Sequence, residues 1–408
     1  MKFPFLPAAA TALAILLGGC GGQGSSASPP ADFKATAADA SVILNWTAEP
    51  GVDYWVFYGP GSNITTTNWA TTGGSVITKV TPPRTIGGLT NGNTYSFTVN
   101  GRKDGGPGGP GAPTQVAVPR LSGSVWTVGT PLGSGKLNGV ASGNGALGNA
   151  NVVVGSGGTI YSGINGAALA PATNPAAPLD LNAVWYGSLG FVAAGANGTV
   201  LFSIDTVTWT SQSSNTGSTL YGGTSTGVGG FLAVGAAGTI INSGDGSTWT
   251  VGTSGTTNDL YAAAYGGGRY LAVGANGTIL TTTDGVTWTA SSSGTTRNLR
   301  GVAYAQQVSA TATLIDFFVA VGDGGTVLTS TDGTTWTALP PFTASDLTAV
   351  LYGGQFVAVG KAGGIFTSLD GLAWETRTSG TTNDLAAIGR TLPGYVAVGA
   401  LGTNVSSY

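Results

Sequence analysis

The chain has 408 residues, among them 71 Gly, and only 8% are charged, where an ordinary soluble domain carries about 25%. An apolar content of 41% and ten Trp supply a packed core, and a formal charge of -3 leaves no basic footprint for nucleic acid. There is no His and one Cys, Cys20, which excludes Ser-His-Asp and Cys-His catalysis, His-ligated zinc, Cys-cluster metal sites and an internal disulfide; no cofactor is expected.

Residues 1–19 read as a secretory leader: Lys2, an apolar run from Ala8 to Leu17 too short to span a bilayer, then small residues. The run Leu17, Gly18, Gly19, Cys20 resembles the lipobox of bacterial lipoproteins. The resemblance implies cleavage before Cys20, a diacylglycerol on its sulfur and hence a membrane as partner. It also implies the outer membrane of the cell envelope, because Gly21 stands where inner-membrane retention signals show Asp. Residues 20–30, rich in Gly and Ser, read as a flexible tether.

From 31 to 119 short alternating runs broken by Gly, Pro and Asn predict a β-sandwich. Val42, Leu44 and Trp46 share one strand face, and Tyr54, Val56 and Tyr58 share the next. Leu89 precedes Tyr95 by six residues across a TNGN turn. This pattern resembles the fibronectin type III module, with Trp46 as its core Trp and Leu89 with Tyr95 as its tyrosine corner. That family's integrin-binding loop is not matched, since the corresponding hairpin reads Arg102, Lys103, Asp104, Gly105. Five basic and five acidic residues leave this segment without a steering field, so a spacer or protein-contact role is expected.

Residues 122–408 repeat. A [VL]-[VA]-[VA]-G motif ends at Gly155, Gly195, Gly235, Gly274, Gly322, Gly360 and Gly399. Trp209, Trp249, Trp288, Trp336 and Trp374 each lie fourteen residues beyond one of these glycines, and Trp126 precedes the first. Eleven residues after each Trp a Leu opens the next strand. Four short strands (a, b, c, d) about every 40 residues predict an all-β domain of propeller blades, seven in number. The last unit ends without a d strand, and the segment around Trp126 is expected to supply it as a 3+1 closure. Two residues after each leading Leu stands a small residue: Gly139, Ala183, Gly222, Ala262, Gly301, Ala349 or Ala387. Close approach of inner strands is the expected reason. The first unit departs from the pattern, with Asn165, Gly166 and Leu169 where others have Asp, Gly and Trp, and a weaker blade is expected there.

The c-to-d turns, such as SGDGSTW, resemble the Asp-box hairpins of sialidases and sortilin-like propellers and the repeats of photosystem II assembly-factor propellers. Asp205, Asp245, Asp284, Asp332 and Asp370 are expected to accept backbone N–H bonds within these turns. Single Asp residues spread over five units cannot converge on one metal ion.

Two regions remain for a site. Insertions at 143–151 and 306–316 lengthen the a-to-b loops beside the Asp-box turns. At the other end, Asp180, Asp259, Asp346 and Asp384 each precede a leading Leu, with Arg297 and Arg300 close by and Tyr221 and Tyr261 directly after two of those Leu residues. These eight residues form a candidate binding rim, able to hold a cation or a polar or basic segment, with turn closure as the plainer role. The expected function is a lipid-anchored binding or scaffolding protein without catalysis, presenting its propeller to a protein or glycan. The alternatives are a glycosidase-like enzyme using rim Asp residues and, from the assembly-factor resemblance, a helper for a membrane complex.

Overall fold

The computed structural model describes residues 24–164, 168–226, 230–308, 313–391 and 394–407, so Cys20, Asn165 and Gly166 lie outside the described residues. The chain divides into two compact units between Arg120 and Leu121, and the described residues contain strands and single 3-10 turns but no α-helix.

In the first unit one sheet runs in the order Lys34–Ala38, Ser41–Asn45, Arg84–Gly87. The other places Val52–Pro60 between Ser75–Val80 and Tyr95–Lys103. Val42, Leu44, Trp46, Tyr54, Val56, Phe97 and Val99 fill the space between the sheets, as their alternation requires. The Tyr95 hydroxyl accepts a bond from the Thr90 N–H at 3.2 Å, fastening the turn after Leu89. The segment expected to be a free tether is partly built into this unit. Strand Tyr95–Lys103 pairs with Gln115–Ala117 only through residues 95–97, and Ser26–Ala27 occupies the edge left open at Gly101 and Arg102.

The second unit consists of seven four-stranded antiparallel sheets. In the fourth, strands a to d are Leu260–Gly266, Arg269–Gly274, Ile279–Thr282 and Thr289–Ser291. The other six inner (a) strands are Leu137–Gly145, Leu181–Gly187, Leu220–Ser225, Leu299–Val308, Leu347–Tyr352 and Leu385–Arg390. Each packs on the next, and the seventh packs on the first. Every leading Leu is buried, and the b strands are buried along almost their whole length, which is why they read as unbroken apolar runs.

Crowding at the inner strands explains the small residues. A Cβ on Gly222 would stand 2.5 Å from the Tyr261 carbonyl oxygen, and one on Gly301 would stand 3.0 Å from the Ala349 Cα. Around the sheets the positions alternate Gly139, Ala183, Gly222, Ala262, Gly301, Ala349, and Ala387 follows Ala349. An odd set of seven forces one like pair.

The seventh sheet draws its fourth strand, Thr127–Val128, from the start of the unit, paired with Ser406 and Val405. The c-to-d turn of this sheet is thereby split between two distant pieces of chain. Ser407 Oγ accepts the Gly123 N–H at 2.8 Å, as Ser243 Oγ accepts that of Gly246, and Trp126 Nε1 donates to the Gly123 carbonyl as Trp249 does to that of Gly246.

One expectation changes. The described residues of the insertions at 143–151 and 306–316 extend the a and b strands: the ladder continues to Gly145 opposite Gly148 and to Val308 opposite Leu314. The first sheet keeps four strands despite lacking the Asp and Trp, its d strand being the two residues Ala170–Pro171, with Leu169 packed against a small apolar cluster.

Replacing Gly222 by Val is expected to cost about 1–3 kcal/mol, because backbone rather than a movable side chain meets the new atoms. A lowered urea midpoint with an unchanged slope would show it.

Candidate functional site

Antiparallel order puts the a-strand starts and the b-to-c turns at one end of the sheets, and the a-to-b hairpins with the Asp-box turns at the other. The Asp-box carboxylates are engaged inside their own turns. Asp284 Oδ1 accepts the N–H groups of Val286 and Thr287, both at 2.8 Å, and the Thr282 hydroxyl at 2.7 Å. Asp205, Asp245, Asp332 and Asp370 repeat the pattern. The Thr282 hydroxyl and then the two N–H groups hold the Asp284 carboxyl down to about 2, and backbone N–H bonds first of all depress Asp245 and Asp332. Burial pushes Asp205 and Asp370 the other way, and their N–H bonds outweigh it.

At the opposite end each of the four rim carboxylates joins two sheets. After every b strand a 3-10 turn carries a left-handed residue: Gly157, Asn197, Ala237, Asn276, Gly324, Ala362 or Leu401. The N–H of such a residue donates to the rim side chain of the following sheet: Gly157 to Asp180 at 2.6 Å, Ala237 to Asp259 at 2.9 Å, Gly324 to Asp346 at 2.8 Å and Ala362 to Asp384 at 2.9 Å. Asn298 takes the same place opposite Asn276. The backbone carbonyls of these five residues accept from the turn of their own sheet. The four carboxylates therefore clamp neighbouring sheets, and Ala237 and Ala362, strained at φ 50° and 53°, are held by them.

The ring is not uniformly acidic. Lys361 Nζ lies 2.9 Å from Asp346 Oδ2, and this pair lowers the Asp346 carboxyl and raises the lysine. Arg300 forms a two-pronged ion pair with Asp323, which also accepts from the Asn298 amide and, through its backbone carbonyl, from exposed Arg297. Asp323 and Lys361 were missed in the sequence. Their signal was available, since they alone are charged at the position after the repeated glycine, held elsewhere by Ser156, Ala196, Ala236, Ala275 and Ala400.

The residue after each leading Leu is the extra residue of a β-bulge in all seven sheets. Asn138, Asn182 and Thr348 use this position to donate to the leading-Leu carbonyl of the next sheet, at 3.0, 2.9 and 2.6 Å. The third to fifth sheets hold Tyr221, Tyr261 and Arg300 instead. The two Tyr rings lie 5.6 Å apart and the Arg300 guanidinium carbon lies 5.3 Å from the Tyr261 ring centre. All three are half-buried. The rim thus has a structural arc and a distinct arc of aromatic and charged groups.

Outboard of the rim, open recesses of about 380, 650 and 630 Å³ recur at the second, third and fourth sheets, lined mostly by Ser, Thr, Asn and Gly.

No family model matches the chain, and no curated protein matches it. Solved structures do. Streptogramin B lyase superposes at a TM-score of 0.58 with 12% identity, covering 70% of this chain and 99% of the lyase. A structure of YCF48 bound to D1 peptide gives 0.55 and 15%, covering 69% and 94%, and YCF48 from Cyanidioschyzon merolae gives 0.53 and 17%, covering 70% and 98%. The repeated sheets form a β-propeller. At such identities the likeness establishes this propeller's architecture and leaves its ligand to its own residues.

Two outcomes follow. Asp259→Ala and Asp384→Ala each lower stability by about 1 kcal/mol in urea titrations, whereas Asn at either position keeps most of it, because Asn298 already serves in that way. The melting temperature stays flat above about pH 5 and falls between about pH 4 and about pH 2, because carboxyls depressed in the fold stabilise it only while ionised. Calorimetry across that range checks the second outcome.

Proposed function

We propose that the chain is a lipid-anchored envelope protein whose propeller binds a protein partner at the end where the inner strands begin. In this reading Cys20 carries the lipid, the first unit is a fibronectin type III-like spacer, and the seven sheets are blades sealed by the strand at Thr127–Val128 as a 3+1 closure. The observation that carries the reading is the broken repeat at the rim. Three bulge positions and five turn positions are spent on joining sheets, while Tyr221, Tyr261, Arg300, Asp323 and Lys361 gather a different chemistry on the third to sixth sheets. A propeller of the same architecture, YCF48, is bound to a D1 peptide. That supports a peptide segment as ligand and makes assistance to a membrane complex the specific form of the proposal.

Catalysis is not part of it. The rim carboxylates are committed to turn N–H groups, and the one Glu of the second unit, Glu375, lies exposed on an outer strand in an ion pair with Arg377. A glycan-binding reading is favoured by one observation, the recurrence of hydroxyl-lined recesses. Those recesses bring no aromatic platform, so glycan binding ranks second.

Capture from detergent-solubilised envelopes with the full lipidated chain tests the function. A membrane-complex subunit retained by the native chain and lost with Tyr261→Ala supports the proposal. Retention on a glycan array instead, or glycoside turnover abolished by Asp259→Asn or Asp384→Asn, overturns it.

A further inference from the structure

We infer that the stretch of rim formed by Tyr221, Tyr261 and Asp259 receives the cationic end of a lysine or arginine side chain, an inference that rests on the partner-binding reading and names what that partner presents. Bulge residues elsewhere with polar side chains, Asn138, Asn182 and Thr348, spend their donors on the neighbouring sheet. Tyr221 and Tyr261 do not: among the described residues neither hydroxyl makes a hydrogen bond, although both side chains are half-buried. Their rings are tilted by 53° with centres 5.6 Å apart, so they present two π faces at an angle to one another. On its far flank Tyr261 already carries the guanidinium of Arg300 at 5.3 Å, so one of these faces meets a cation within the fold.

Charge bookkeeping selects the ligand. The positive charge of Arg300 is matched by Asp323 and that of Lys361 by Asp346. Asp259 has no cation in contact among the described residues, and only its Oδ1 is engaged, by the Ala237 N–H. Burial and then the Asp259 charge push both phenols up, which places the carboxylate's field over Tyr221 and Tyr261. A site with one unmatched carboxylate, two tyrosine rings and two free hydroxyl acceptors favours an ammonium or guanidinium and repels a carboxylate or phosphate. A basic side chain is therefore the better occupant than a neutral sugar, which leaves the carboxylate's charge unmatched.

The test uses the whole chain labelled with 3-fluorotyrosine, with the two resonances assigned through Tyr221→Phe and Tyr261→Phe. Capped Gly-Lys-Gly and Gly-Arg-Gly are titrated at low salt beside capped Gly-norleucine-Gly, capped Gly-Glu-Gly and maltotriose. The expected result is a saturable shift of both resonances with the basic peptides alone, weakened roughly two- to fivefold by Asp259→Asn, the size of an exposed ion pair, since both rings remain in that variant. Asn keeps the bond from Ala237, and an unchanged melting curve shows that this variant is folded. Shifts caused equally by norleucine or maltotriose, no shift with any basic peptide, or an affinity indifferent to Asp259→Asn overturns the inference. Envelope capture lost with Tyr261→Ala but unaffected by Asp259→Asn leaves the partner reading standing without it.

Discussion

Close approach of inner strands is the constraint on which the second unit depends. At Gly139, Gly222 and Gly301 even a methyl group would meet the backbone of the next sheet. Glycine costs chain entropy, so alternation with alanine is the economical arrangement: each Gly makes room for the Ala beside it. With seven positions one junction must depart from alternation, and it falls between Ala349 and Ala387.

The same packing leads to the rim. Each inner strand enters through a bulge, which turns one extra residue out of the ladder in every sheet. Where that residue is Asn or Thr it becomes a bridge to the next sheet, and the rim Asp residues bridge in the other direction, to the left-handed turn of the sheet before. A repeat protein can alter such a position without changing its core, because only one junction is affected. Tyr221, Tyr261 and Arg300 in consecutive sheets are a local change of that kind, with side chains that differ from the Asn and Thr bridges of the first, second and sixth sheets.

The two ends of the sheets divide the work. Asp-box turns are self-contained: the carboxylate, the hydroxyl two residues earlier and the Trp indole all bond within seven residues of chain. Their independence explains why the first sheet forms without the Asp and Trp, and why the turn of the seventh can be assembled from Gly123 and Ser407. The rim contacts instead cross between sheets, so their geometry depends on how neighbouring sheets are set against one another.

The sequence determined the repeat, the small-residue ring, the Asp-box turns and the strand that Trp126 leads into, because each follows from periodicity or from bonds within a few residues. It also marked Asp323 and Lys361 as exceptions to their position, a signal legible only against the repeat. What it did not determine was the destination of side chains across sheet boundaries. Asp259 stands two residues from Tyr261 and 22 from Ala237, and its bond to the latter arises only when the third and fourth sheets pack. The tertiary structure likewise decided that Ser26–Ala27 fills an open strand edge, and that the residues inserted near 143 and 306 lengthen strands, because both outcomes depend on which backbone groups a neighbouring strand leaves unpaired.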